Sequence, residues 1–233
     1  MAIEFGLLTL GAYLLGSVPA AYLAARWSRG MDIRRFSDGN VGATNLLRLT
    51  SKRVAISVII FDLGKGAVMV GVAKLVGLET YQQVTVGLAA IIGHNWPVFL
   101  RFNGGRGILT SLGVISILVP WLGLIVLAIA YGLAPFHQLA VGVFLAVIFA
   151  PTGAWFLSQP LGVTDKLPIA LGFLAIFLIV VIRRLTAPRT IFTASVTLRQ
   201  LFVNRLLFDR DIRDRKAWID RKPSEQQGKQ REG

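Results

Sequence analysis

The chain has 233 residues, of which 54% are hydrophobic, and it carries a formal net charge of +13 at pH 7 and no cysteine. The absence of cysteine excludes disulfides and thiolate metal sites. Apolar runs of about 20 residues follow one another, as in helices that cross a bilayer, whereas the alternating strands of about 10 residues that build membrane barrels are not seen. We therefore predict an all-α, polytopic membrane helix bundle.

Six apolar runs are predicted to cross or enter the membrane, and their number conflicts with the charge pattern. The basic loop at 26–53 predicts an outside N-terminus, and the basic tail is expected in the cytoplasm too. Six full crossings would place that tail outside, so one run must be re-entrant or split, and five or seven crossings fit better. The preferred break is Pro120, and the second candidate is the Pro151-Thr152-Gly153 sequence. The runs are about 3–25, 54–78, 83–100, 108–132, 136–157 and 166–182.

The loop after the first run, SDGNVGATNLLR at 37–48, is polar and contains Gly39 and Gly42. A second polar loop, RFNGGRG at 101–107, surrounds Arg106 with glycines and leads into a helix. Glycine permits close backbone approach, and helix N-termini and arginine both favour phosphate. Two such loops on the cytoplasmic face predict a site for a phosphorylated ligand at the membrane interface.

Ionisable residues also occur inside the predicted spans. Asp62 and Lys65, in FDLGKG near the start of the second span, are three residues apart and share a helix face. They are either a structural ion pair or the border of a site, and a pair can be both. His94, at the end of the third span, is either an interfacial residue or part of the same site.

The chain changes character at residue 189. Arginines alternate with leucine and phenylalanine over 198–215, which predicts an amphipathic helix lying on the cytoplasmic surface. The end, KPSEQQGKQREG, is predicted to be disordered. We therefore divide the chain into a transmembrane domain, 1–188, and a basic amphipathic tail, 189–233. The basic clusters favour contact with anionic membrane lipids and no nucleic acid.

Four stretches together resemble the acyl-phosphate:glycerol-3-phosphate acyltransferases, the PlsY family of the bacterial inner membrane. They are GSVPAAYL, DIRRFSDGNVGATNLLR, FDLGKG and GHNWPVFLRFNGGRGILTSLG, between about residues 11 and 113. The resemblance implies acyl transfer from acyl phosphate to sn-glycerol 3-phosphate, which gives lysophosphatidic acid and phosphate in phospholipid biosynthesis. It implies no cofactor and no metal, and it carries no prediction of oligomeric state.

The loops and the resemblance together indicate the site residues. The expected catalytic residues are Arg106, Asp38 and Asn45. The expected substrate-binding residues are Asn40, Gly42, Thr44, Arg48, Lys65, His94, Gly104, Gly105, Gly107 and Thr110.

The sequence departs from the family pattern at three places, so it resembles a diverged member. Asp38 replaces a serine, Arg106 replaces a lysine, and VIRRLTAPRTI lacks the histidine and asparagine of the third family motif. The alternatives are therefore an inactive or substrate-altered paralogue that binds a phosphorylated lipid precursor, or, from another class, a small-anion transporter. A transporter predicts polar residues that converge at mid-membrane.

Overall fold

The computed structural model of the protein describes residues 2–36 and 39–220, and this part contains eleven α-helices and no strand. The predicted all-α class is confirmed. Asp38 and the predicted disordered end at 222–233 lie outside the described residues. The helices are α1 (Ala2–Ser17), α2 (Ala20–Arg29), α3 (Ala43–Leu49), α4 (Lys52–Leu75), α5 (Thr80–Asn95), α6 (Ile108–Leu118), α7 (Pro120–Gly132), α8 (Leu139–Phe156), α9 (Lys166–Leu185), α10 (Leu198–Phe208) and α11 (Arg215–Asp220).

Four helical stretches are long and apolar enough to cross a membrane, judged by length and composition. The first combines α1 and α2, and the chain bends between them at Pro19, whose ring nitrogen cannot donate a helical hydrogen bond. The others are α4, α8 and α9. Helix α5, with 16 residues, packs between α1 and α4.

Helices α6 and α7 form the predicted broken run. At 1.5 Å per residue, their 11 and 13 residues reach about 16 and 20 Å, which is less than a bilayer core of about 30 Å. The chain reverses at Val119, so that a Cβ on Gly123 would lie 2.8 Å from the Cα of Ser116. The starts of α6 and α8 both lie beside the end of α9. The chain thus turns back between α6 and α7, which confirms the break at Pro120, and the odd number of crossings stays a prediction.

The second predicted break is wrong, because α8 continues through Pro151 to Phe156. A proline inside a helix leaves backbone carbonyl groups without their usual donors. The hydroxyl of the next residue, Thr152, donates to the carbonyls of Ile148 at 3.3 Å and Phe149 at 2.9 Å. The carbonyl that loses its own donor at Pro151 is that of Val147, four residues earlier, and α8 continues through the proline in spite of this lost bond.

Small residues allow the helices to approach closely. A Cβ on Gly16 of α1 would lie 2.2 Å from the carbonyl oxygen of Ala90 in α5, and one on Gly93 would lie 2.2 Å from that of Tyr13. Close backbone contact of this kind is how membrane helices associate. It fixes the end of α5, and therefore the loop that follows α5, against the first helix.

The tail contains the predicted helix, α10, but this helix is packed against α8 and α9 and does not present all its arginines to a surface. The Arg205 side chain is buried and donates to the carbonyls of Leu185 and Ala187, both at 2.8 Å. Leu185 is the last residue of α9 and Ala187 lies just beyond it, at the helix end where backbone acceptors lack helical partners. The division of the chain at residue 188 stays a prediction.

Candidate functional site

A cavity of about 360 Å³ lies where four stretches of the chain meet at one end of the bundle. Three of them are the loop after α2, the glycine loop before α6 and the end of α9, and the fourth comes from the tail. The lining residues are Arg34, Arg35, Gly39, Asn40, Val41, Asn103, Gly104, Arg106, Arg183, Arg184, Ala187, Pro188, Arg189, Thr190, Arg205, Asp209, Arg210, Asp211 and Trp218.

The cavity is strongly basic. Eight of the lining residues are arginines and two are aspartates. A concave surface lined by one sign of charge raises the local concentration of ions of the opposite sign. The cavity is therefore suited to anionic ligands, and guanidinium groups match phosphate in both charge and geometry.

The loop after α2 is shaped by Asn45, one of the expected catalytic residues. Its side chain is fully buried, and its Nδ2 lies 3.0–3.3 Å from the carbonyl oxygens of Ile33, Phe36 and Asn40. Asn45 does not line the cavity. It lies behind the wall and holds the backbone that presents Asn40.

Arg34 forms a two-pronged ion pair with Asp32 at the edge of the same loop. Its Nε and Nη2 donate to the two carboxylate oxygens at 2.9 and 2.7 Å. Burial raises the pKa of Asp32, but the hydrogen bonds from Arg34 lower it more, so the carboxylate is held ionised. The arginine is thereby fixed at the cavity mouth.

In the glycine loop, two backbone N–H groups are already bonded within the protein. The N–H groups of Gly104 and Gly105 donate to the carbonyls of Asn95 and His94, at 3.2 and 3.1 Å, and so are not available to a ligand. A Cβ on Gly105 would lie 2.1 Å from Nε2 of His94. Glycine is needed here because the loop lies directly on the end of α5.

The remaining donors of the glycine loop precede α6. Within the described part of the chain, the N–H groups of Arg106 and Gly107 form no hydrogen bond to a backbone carbonyl. Gly107 has φ +74° and caps α6, whose first turn also has N–H groups without helical partners. The backbone donors that remain available in this loop are therefore at 106–108, directly after its first two glycines.

Arg183 contacts the glycine loop, and sequence analysis does not assign it to the site because the positive-inside rule already accounts for basic residues at the end of a span. Its side chain is 5% exposed, and its Nε and Nη2 donate to the carbonyls of Gly105 and Gly104 at 3.0 and 2.8 Å. In turn, Nη1 of Arg106 donates to the Arg183 carbonyl at 3.3 Å. Arg183 thus clamps the glycine loop from the end of α9.

Asp209 is a second residue that the sequence does not indicate. Nε of Arg106 lies 2.8 and 3.0 Å from its two carboxylate oxygens. The two residues are 103 positions apart, so no local spacing connects them. The ion pair orients Arg106 through one edge of its guanidinium group.

Asp62, Lys65 and His94 form a cluster behind the glycine loop. Nζ of Lys65 lies 2.9 Å from Asp62 and 3.0 Å from the carbonyl of Gly16, and Nδ1 of His94 lies 3.5 Å from Asp62. The hydroxyl of Thr110 donates to the Asp62 carbonyl at 3.0 Å. All four side chains are buried.

The position of this cluster corrects one expectation. Because α4 begins at Lys52, Asp62 lies near the middle of the helix and not near its start. Its depth is where a transporter would bind an ion, but the adjoining space is only about 10 Å³, roughly one water molecule. The cluster is paired internally and supports the loop above it.

The predicted site residues therefore fall into three groups. Asn40, Gly104 and Arg106 line the cavity. Asn45, Lys65, His94, Gly105 and Thr110 lie behind it, Gly107 caps α6, and Gly42 precedes α3. Thr44 and Arg48 are exposed on α3 and do not line the cavity. Asp38 is not among the described residues, and the roles of all these residues stay predictions.

Comparisons with known proteins agree with the fold. Residues 6–193 match the family model described as glycerol-3-phosphate acyltransferase. Glycerol-3-phosphate acyltransferase 5 of Dehalococcoides mccartyi is 48% identical over 223 residues, which is 95% of each chain. The glycerol-3-phosphate acyltransferase of Synechococcus sp. strain CC9902 is 47% identical and covers 61% of this chain and 64% of its own.

A solved structure is similar over almost the whole fold. It is PlsY (YgiH), an integral membrane glycerol 3-phosphate acyltransferase, in its glycerol 3-phosphate form. The match has a TM-score of 0.71 and 26% identity, and it covers 91% of this chain and 96% of the other.

Proposed function

The chain belongs to the glycerol-3-phosphate acyltransferase family, and from this premise we propose that it transfers an acyl group from acyl phosphate to the 1-hydroxyl of sn-glycerol 3-phosphate. The products are 1-acyl-glycerol 3-phosphate, which is lysophosphatidic acid, and inorganic phosphate. The reaction is an early step in making membrane phospholipids.

One observation carries the proposal: the cavity between the two glycine-bearing loops is lined by eight arginines and two aspartates. Both proposed substrates carry a phosphate group, and each is a dianion or nearly so at neutral pH. A site that holds both must offset the repulsion between the two anions. A cluster of guanidinium groups on fixed helix ends does so without reorganising during the reaction.

The chemistry needs positioning more than it needs a strong nucleophile. Acyl phosphate is a mixed anhydride and is already activated. The glycerol oxygen forms a bond to the acyl carbon, the bond from that carbon to the phosphate oxygen breaks, and the hydroxyl proton passes to a phosphate oxygen. Holding the hydroxyl and the carbonyl in contact therefore supplies much of the rate enhancement.

The residues have distinct proposed roles. Arg106 and Asn40 line the cavity and contact the phosphate groups, and the N–H groups at 106–108 add donors. Asn45 acts from behind by holding the loop after α2, and Lys65, His94 and Thr110 act from behind by joining the helices that carry the loops. The substitution of arginine for the family's lysine at position 106 keeps the charge and adds a planar fork that Asp209 orients.

We place the protein in the bacterial inner membrane with its N-terminus outside. Positive residues are retained on the cytoplasmic side, and the loop at 26–53 and the end of α9 are both basic. These two stretches meet at the cavity, which therefore opens to the cytoplasm. The acyl chain of the donor, and membrane lipids, contact the apolar helix faces.

The test is acyl transfer by the purified protein in detergent. Glycerol 3-phosphate is supplied with acyl phosphate or, in parallel, with acyl-CoA, and lysophosphatidic acid is measured. We expect product from acyl phosphate alone. Arg106→Ala should lower the rate by about 100-fold or more, as for other removed donors in preorganised sites. Arg53→Ala is the comparison, because Arg53 is exposed at the start of α4 and does not line the cavity.

Two outcomes would contradict the proposal. As much lysophosphatidic acid from acyl-CoA as from acyl phosphate would mean that acyl phosphate is not the specific donor. A folded protein that makes no product from either donor would identify an inactive paralogue, and binding of glycerol 3-phosphate would then be its remaining activity.

A further inference from the structure

The fourth wall of the cavity comes from residues 198–220, which we call the C-terminal segment. These residues lie beyond 6–193, the part that matches the family model. The segment contributes Arg205, Asp209, Arg210, Asp211 and Trp218 to the lining. The cavity of this chain is therefore built partly from residues beyond the stretch that matches the family model.

The C-terminal segment is held in place by buried polar bonds. Arg205 pairs with Asp211 at 2.7 Å, and both side chains are almost completely buried. Nη1 of Arg184, in the last turn of α9, donates to the carbonyl of Leu206 at 2.6 Å. Buried charged groups bonded in this way fix the geometry of the elements that carry them. The segment is thus a fixed part of the cavity wall.

Two neighbouring residues at the end of α10, Asp209 and Arg210, line the cavity. Asp209 is left-handed, with φ 54° and ψ 40°, and it ends the helix. Its carboxylate receives Nε of Arg106. Arg106 uses Nε for Asp209 and Nη1 for the Arg183 carbonyl, and within the described residues its Nη2 group makes no hydrogen bond, so both of its N–H donors can serve a ligand.

Arg210 follows immediately and also lines the cavity. Within residues 2–36 and 39–220, its guanidinium group makes no hydrogen bond or ion pair, and its Nε is buried without an acceptor. The guanidinium group lies over the ring of Phe208, 5.1 Å from the ring centroid. By contrast, bonds to carboxylates or backbone carbonyls are made by Arg34, Arg106, Arg183, Arg184 and Arg205.

Arg210 carries a desolvation cost that an anion would remove. Burial lowers the pKa of Arg210, and nearby Arg215 lowers it further, while Asp214 raises it by less. A buried cationic donor without an acceptor is unfavourable. A phosphate oxygen in the cavity would supply the missing acceptor and a compensating charge.

We propose that Arg210 is a further phosphate-binding residue, presented by the C-terminal segment beside Arg106, and that it determines affinity for the phosphorylated substrates. The inference rests on the proposed function for the identity of those substrates, glycerol 3-phosphate and acyl phosphate. Its guanidinium fork matches phosphate oxygens, and the residue before it, Asp209, is paired with Arg106, which also lines the cavity.

The test compares Arg210→Gln with Arg213→Gln in the full chain. Both variants remove one positive charge from the same segment, but Arg213 is exposed and does not line the cavity. The dissociation constants of glycerol 3-phosphate and of inorganic phosphate are measured by calorimetry in detergent, and KM is measured separately for glycerol 3-phosphate and acyl phosphate. We expect Arg210→Gln to weaken binding about tenfold, as for one lost charge-assisted hydrogen bond, and Arg213→Gln to change it less than about twofold.

If KM rises for only one of the two substrates, Arg210 binds the phosphate group of that substrate. Arg210→Lys should weaken binding by an intermediate amount, since lysine keeps the charge but not the planar fork. This variant replaces Arg210→Gln in the test if Arg210→Gln lowers the melting temperature. Equal dissociation constants in the Arg210 and Arg213 variants would overturn the inference, as would unmodified protein that binds none of the probes. If the unmodified protein binds glycerol 3-phosphate but forms no product, the proposed acyl transfer is contradicted, whereas the inference about Arg210 stands.

Discussion

Arg183 connects the end of α9 to the glycine loop through two hydrogen bonds to adjacent carbonyls. A guanidinium group can donate to both at once because its donors are fixed in a plane. The loop in turn fixes the backbone position of Arg106. Arg183 is therefore a positioning residue that acts on the substrate through the shape of the loop.

Replacing Arg183 with lysine should raise KM for glycerol 3-phosphate about tenfold, because a single ammonium group cannot hold both carbonyls in the same geometry. Arg184→Lys is the comparison, since Arg184 is similarly buried but bonds to Ala140 and Leu206 and leaves the loop bonds intact. Both variants should lower the melting temperature. A KM increase as large in the Arg184 variant would mean that the clamp has no specific role.

The ion pair of Asp62 and Lys65 makes a separate prediction about stability. Lys65→Met leaves the Asp62 carboxylate buried without its main cation, which costs about 3–5 kcal/mol for pairs of this kind. Lys74→Met removes a lysine from the exposed end of the same helix and should have almost no effect. Thermal unfolding in detergent measures both, and equal melting temperatures would contradict the structural role.

The sequence indicates the two glycine loops because glycine, asparagine and arginine rarely cluster in so apolar a chain unless they bind a polar partner. It does not indicate Arg183 or Asp209, since their partners are 78 and 103 residues away. It also does not show that Asn45 and Lys65 lie behind the cavity wall, and their predicted roles stay predictions. Their polarity is needed to hold loops and helices together, and polarity alone does not distinguish support from contact with a ligand.

At the scale of elements, two prolines have opposite effects. Pro120 stands at the first position of α7, where a helix needs no donor, and the chain reverses before it. Pro151 lies inside α8, where the hydroxyl of Thr152 bonds to two carbonyls of the preceding turn. The break at Pro120 is therefore predictable from the parity of the basic loops, whereas the presence of a proline at 151 does not show that α8 continues through it.

Helix α10 should leave its docked position when Asp211 loses its charge. Burial raises the pKa of Asp211, but hydrogen bonds from Arg205, Thr190 and Thr193 lower it more. The carboxylate therefore stabilises docking above its ordinary pKa of about 3.9, and this contribution disappears as the pH falls through the lowered value. Asp211→Asn removes the charge at neutral pH.

Hydrogen exchange of Leu198–Phe208 at about pH 7 measures this docking. We expect faster exchange in Asp211→Asn and no change in Asp214→Asn, because Asp214 is exposed and caps α11, a position where asparagine is also suitable. Unchanged exchange in the Asp211 variant would show that apolar contacts with α8 and α9 hold α10 by themselves.

For the whole molecule, the basic cavity predicts how solution conditions act on activity. Raising NaCl from about 0.05 M to about 0.5 M should increase KM for glycerol 3-phosphate several-fold, since it shortens the screening length to a few ångströms. A metal chelator should leave the rate unchanged, because eight arginines repel divalent cations. A salt-independent KM, or a rate lost with the chelator, would contradict this account of the cavity.

The position of the C-terminal segment in the chain has a consequence for biosynthesis. Arg106 is made 103 residues before its partner Asp209, and the residues at the end of α9 are also made before the segment. All the apolar helices of a nascent chain are therefore made while the fourth wall of the cavity is still missing. In that interval we expect the arginines of the other three walls to attract anionic lipid headgroups, which α10 would displace when it folds. A chain that ends after α9 would keep its cavity open on that side.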